Sequence, residues 1–210
     1  MNRIIRTTAL LPVTTILLSV LPAKTADSLE QVEHRVIAKD ESIEIRQYGP
    51  VTAAEVTLKG TRSETSRQAF NILFKYISGA NKANTKIAMT APVSQAPVEI
   101  PMTATVTQAA RGDDEWSIAF YLPAQYTAKT APQPDNPEIS IVTKPAQRIA
   151  AISFSGRWTN ANFESHARKL EAYLKEKSYK PSGPAVYAYF NAPFMPPPFR
   201  HNEVQIPIAQ

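Results

Sequence analysis

Prolines break this chain so often that it has room for few helices. Eighteen of them are scattered between Pro12 and Pro207. Inside a helix a proline removes a hydrogen bond and clashes with the preceding turn, whereas strand edges and turns tolerate it. Two proline-free intervals carry a 3.6-residue apolar period, and nearly everything else reads as strand and stiff loop.

The first predicted helix opens at Thr61-Arg62-Ser63-Glu64, a capping box whose Thr and Glu side chains satisfy exposed backbone N–H groups. Phe70, Leu73, Phe74 and Ile77 follow at i, i+3, i+4 and i+7 and form one apolar face, and Gly79 supplies the stop. The second helix starts near Asn160 and turns Phe163, Ala167, Leu170 and Leu174 inward. It ends before Pro181-Ser182-Gly183-Pro184. Strand alternation is clear at Ala54-x-Val56-x-Leu58, Ile100-x-Met102-x-Ala104-x-Val106 and Trp116-x-Ile118-x-Phe120-x-Leu122. It recurs at Ala150-x-Ile152-x-Phe154 and Val204-x-Ile206-x-Ile208. Each such run should set one face on a core and leave the other more polar. Pro123 to Pro137 reads as a long connection between strands.

The expected class is therefore α+β, and its two halves are alike. Ala53-Ala54-Glu55-Val56 leads to Gly60, a helix and then Lys86 to Pro92. Ala150-Ala151-Ile152-Ser153 leads to Gly156, a helix and then Tyr187 to Pro193. The order strand, glycine, helix, strand, Ala-Pro recurs about one hundred residues on, which predicts a pseudo-twofold internal repeat with its ligand groove between the halves.

The N-terminus reads as an export signal. A basic head with Arg3 and Arg6 precedes the uncharged apolar run Thr7 to Leu21, and cleavage is expected near Ala23 or Ala26. Residues 1–26 are then the signal and 27–210 the mature domain, periplasmic or secreted. The apolar run is short for a bilayer span, an uncleaved anchor is the alternative, and no later stretch could cross a membrane, so no integral membrane segment is expected after signal removal. With no cysteine, packing rather than disulfides must hold the exported fold together.

Several function classes find no support. The formal charge is +5, and about +3 once Arg3 and Arg6 are removed. The remaining cations are dispersed among acids, which is not a nucleic-acid footprint. No Gly-x-Ser-x-Gly elbow, phosphate-binding glycine loop or His-Glu-x-x-His spacing occurs, and His34, His166 and His201 are far apart. Asp113-Asp114-Glu115 after Arg111-Gly112 reads as a hairpin turn. No catalytic residue or metal site is assigned, and the chain is expected to be a non-enzymatic monomer.

Lys86-Ile87-Ala88-Met89-Thr90-Ala91-Pro92-Val93 resembles the most recognisable motif of the SOUL heme-binding protein family. Ile43 to Pro50, Phe74 to Asn81, Phe120-Tyr121-Leu122-Pro123 and Phe154-Ser155-Gly156 are similar to further family segments. So are Tyr189 to Pro193 and Arg200 to Val204, in order along the chain. The resemblance implies a distorted antiparallel β-barrel with two helices and a non-enzymatic role in binding heme or another porphyrin.

It also implies a groove along the first helix, at Arg67, Phe70, Leu73, Phe74 and Lys75, beneath a loop carrying Phe194, Met195 and Phe199. Aromatic and aliphatic surface suits a flat macrocycle, and Arg or Lys suits its propionates. The same helix face also suits a plain core: Leu73 and Ile77 lean that way, while Phe70 and Phe74 fit either role. Some family members place a proposed iron-binding histidine where this chain has Gln47, a poor iron ligand, so reversible binding without a bond through that position is expected. His201 is the weak alternative iron ligand. Other amphipathic small molecules, or enzymatic action on a tetrapyrrole or lipid, are the alternative readings.

Overall fold

A computed structural model describes residues 30–97, 115–191 and 194–209. The expected signal at 1–26, the Ile100–Val106 strand, the turn at Arg111–Asp114 and the Ala192-Pro193 pair lie outside these residues. In chain order the elements are β1 (Glu30–Gln31), β2 (His34–Asp40), β3 (Ile43–Tyr48), β4 (Val51–Lys59) and α1 (Arg62–Ile77). Next come β5 (Thr90–Ala91), β6 (Val93–Pro97), β7 (Glu115–Tyr121), β8 (Ser140–Lys144) and β9 (Gln147–Phe154). The last are α2 (Asn160–Glu176), β10 (Val186–Tyr189), a 3₁₀ turn (Pro197–Phe199) and β11 (Asn202–Ile208).

Nine strands form one antiparallel sheet in the order β2-β3-β9-β11-β10-β6-β7-β4-β8, while β1 and β5 pair in parallel beside it. The fold is α+β, and the sheet curls into a half-barrel. Among the described residues β2 and β8 are its two edges and do not pair with each other. Pro207 sits in β11 where β10 no longer runs alongside, since that pairing stops at Val186–Gln205. A missing N–H is harmless there.

Both helices form where the local chemistry dictates. Thr61 and Glu64 make the reciprocal capping box of α1, and Gly79, at φ 119°, takes up the left-handed backbone past its C-terminus. Thr159 caps α2 through Asn162 N–H. α1 packs on β4 and β7, where Ala69, Leu73, Tyr76 and Ile77 meet Val56, Ile118 and Phe120. α2 packs on β9 and β11, where Phe163, Ala167, Leu170 and Leu174 meet Ile152, Val204 and Ile206. Each helix thus has its own core.

The seam between the two cores is the β6–β10 pair. On one side stand β7 and β4, on the other β11 and β9. A twofold repeat of the chain is a proposal that this order supports.

Candidate functional site

The seam carries a cleft with an apolar part and a polar part. The apolar cavity has a volume of about 410 Å³. One wall is the outer flank of α1, with Ser66, Phe70 and Phe74. Its second wall is the chain entering β6, with Met89, Thr90, Ala91 and Val93. Trp158 and the end of β10, Tyr189 to Asn191, form the third, and Phe194 stands at the mouth. Phe70 and Phe74 stack with ring centroids 5.6 Å apart, and Phe70 meets Phe120 edge-on at 5.5 Å. Phe74 is 46% exposed and Phe194 87% exposed, so both present bare aromatic surface at the opening. Thr90 contributes a buried hydroxyl that has no hydrogen-bond partner among the described residues.

Ser66, Phe70, Trp158 and Tyr189 also line an adjoining polar groove of about 290 Å³. Arg67 lies along this groove and is solvent-exposed. Arg62 closes the inner end. Its guanidinium donates to the Tyr189 phenol at 2.8 Å and to the Asn160 side chain, and lies 5.0 Å over Phe163 and 4.8 Å over Tyr187. Burial pushes the Tyr189 phenol up to about 12, although Arg62 pulls the other way, so it stays protonated at neutral pH.

Behind Phe190 lies a buried ion cluster. Arg46 on β3 donates two hydrogen bonds to Glu203 on β11, at 2.8 and 2.9 Å, and a third to Glu44 at 2.8 Å. Ser153, Gln205 and His201 complete the shell of Glu203. Burial alone would raise the Glu203 pKa, but hydrogen bonds from His201, Arg46 and Gln205, with the Arg46 charge, hold it at about 2. The His201 ring stands edge-on to Phe190 at 4.4 Å.

The structure brings Phe70, Phe74 and Phe194 to the apolar cavity and Arg67 to the polar groove. Leu73, fully buried, belongs to the core under α1. Lys75 is exposed, and Met195 and Phe199 lie on the loop beyond the cavity lining, with Phe199 75% exposed. Gln47 lies on β3 opposite Arg148 and does not line the cavity; its side chain donates to the Tyr48 carbonyl at 3.1 Å. His201 is likewise absent from the lining.

Met89, Thr90, Trp158, Tyr189 and Phe190 were not singled out as site residues in the sequence. Met89 and Thr90 sit in the family-like motif at 86–93, and Tyr189 and Phe190 in the one at 189–193. Those two motifs could have pointed to them. Among the described residues, no cluster of His, Asp or Glu could hold a metal ion, and no helix is long and apolar enough to cross a membrane.

Comparison with known proteins agrees with the architecture. The C-terminal domain of EcmrR superposes with a TM-score of 0.60 at 8% identity, covering 80% of this chain and 97% of that one. A hydrolase from Listeria innocua gives 0.55 at 10% identity, covering 82% and 94%. Identities this low speak for the shared fold alone. Heme-binding protein 1 of Xenopus tropicalis is 28% identical over 152 residues, which span 70% of this chain and 75% of that protein. The model of the SOUL heme-binding proteins matches residues 29–207, and the chain belongs to that family.

Proposed function

We propose that this chain binds heme or a related tetrapyrrole reversibly in the cleft at the β6–β10 seam, without an iron bond through Gln47. The observation that carries this reading is the union of an aromatic-walled cavity with a polar groove bearing Arg67. A macrocycle would lie against Phe70, Phe74 and Phe194, and its acid side chains would reach toward Arg67. Pockets of this size, mostly apolar with a few placed polar groups, suit such ligands. Bound heme would supply an iron centre and a strong visible chromophore. The chain supplies apolar walls that exclude water and a guanidinium that fixes which edge of the ring lies outward.

Membership of a heme-binding family favours this ligand class over other amphipathic small molecules and over catalysis. Titration of the purified protein with hemin and with metal-free protoporphyrin tests it, by absorbance and by quenching of tryptophan fluorescence. Both should bind, with ferric hemin and the metal-free ring alike in affinity. Arg67→Ala should weaken each by about 1–2 kcal/mol, roughly 5- to 30-fold. Unchanged spectra for both ligands would refute the proposal. Steady conversion of hemin to a new chromophore would favour an enzyme instead.

A further inference from the structure

Iron is held in heme proteins by imidazole, thiolate, thioether or phenolate. The sequence has no cysteine and three histidines, all of them described. None lines the cavity. His34 packs against Tyr48 at 4.8 Å, on the β2–β3 hairpin. His166 stacks on Phe154 at 3.9 Å with Nδ1 bonded to the Asn162 carbonyl. His201 Nε2 is bonded to the Glu203 carboxylate at 2.9 Å. Tyr189 does line the cavity, but its oxygen accepts from Arg62 and donates to Gln95. Phenolate is what iron would require, and burial raises the phenol to about 12. Among the described lining residues, Met89 is the remaining side chain of an iron-binding type.

Met89 is well placed for the task. It is half-buried, packs on the core beneath α1, and lines the cavity together with Phe70 and Phe74. Its three rotatable bonds let the sulfur adjust its height over a ring without moving the backbone. Thioether sulfur is a soft donor, and methionine ligation raises the reduction potential of heme iron, which means it binds the ferrous state more strongly. Accepting the tetrapyrrole site above, we propose that the Met89 thioether is its iron-facing group and makes the cavity favour ferrous over ferric heme.

The test compares the wild-type protein with Met89→Leu, a volume-conserving change. Each is titrated anaerobically with ferric hemin, dithionite-reduced heme and metal-free protoporphyrin. Wild type should bind reduced heme about tenfold more tightly than hemin, equivalent to a rise of about 59 mV in the heme potential on binding. In Met89→Leu that ratio should fall to about one, and an unshifted thermal melt of the unliganded variant certifies the fold. Resonance Raman of the reduced wild-type complex should show an iron–sulfur signature without recourse to any variant. An oxidation-state preference that survives Met89→Leu, or is absent from wild type, overturns the inference. Protoporphyrin binding without any iron effect overturns the Met89 role alone. Failure of all three ligands to bind wild type overturns the cleft reading and the Met89 role together.

Discussion

Leu73 and Phe74 are neighbours on α1, one buried in the core and one exposed at the cleft, and on the proposed reading truncating each to alanine should separate folding from binding. Phe74 is 46% exposed, and a phenylalanine side chain offers roughly 150–250 Å², so about 90 Å² is open for a ligand to cover. At about 25 cal/mol per Å² that surface is worth up to ~2 kcal/mol. Partial coverage by a flat ring gives about 1–2 kcal/mol, a 5- to 30-fold loss of tetrapyrrole affinity in Phe74→Ala. Loss of the stacking on Phe70 should lower stability by only about 1 kcal/mol. Leu73 is 0% exposed, and Leu73→Ala should destabilise by about 2–5 kcal/mol through the cavity left under α1. For a domain of this size that is a fall in Tm of roughly 4–20 °C. Fluorescence titration with protoporphyrin at a temperature where both variants stay folded, paired with thermal melts, reads the two effects independently. Folded Leu73→Ala that loses the ligand, with Phe74→Ala unaffected, would refute this division of the helix.

The buried carboxylate should show itself in acid. Glu203 is held at about 2, below its ordinary 4.5, so it stabilises the fold above pH 4.5 and loses that contribution as the pH falls toward 2. The shift corresponds to about 3 kcal/mol at neutral pH. Glu203→Gln should therefore melt well below wild type at pH 7, the gap closing in urea titrations as pH approaches 2; a gap independent of pH would contradict this. Because a basic head and an apolar run open the sequence, mass spectrometry of protein from its native host should find an N-terminus near Ala23 or Ala26. Recovery of only Met1-containing protein would end the export proposal.

Much of the fold was legible because its signals are local. The Thr61 capping box is present as read, and all four inward residues predicted for α2 are buried. α1 was harder. The face that packs is rotated about the helix axis from the stripe at Phe70, Leu73, Phe74 and Ile77, and Ala69 and Tyr76 complete it. The core therefore took Leu73 and Ile77, together with Ala69 and Tyr76, and left Phe70 and Phe74 on the flank that faces the cleft. The sheet face turned away from the helices escaped the reading for another reason. Arg46, Glu203 and Gln205 alternate with apolar neighbours and so look solvent-facing, yet all are buried. Arg46 and Glu203 lie 157 residues apart, and no local pattern announces such a pairing. Met89 and Trp158 reach the cavity from loops, which carry no periodicity from which a facing side could be inferred.

Arg62 carries a consequence for how binding competence arises as the chain folds. Its partners Asn160 and Tyr189 lie 98 and 127 residues away, and both belong to the second half. Contacts so distant in sequence close large loops and form after local structure has gained enough to offset their entropy. A chain folded only as far as β7 would have α1 and its phenylalanines but no opposite wall, because Trp158, Tyr189 and Phe190 are still to come. It would display a sticky helix flank rather than a receptor. On the proposed reading, ligand capture would belong to the finished molecule, and a bound ring, touching both halves at once, would act as a seal on the last docking step.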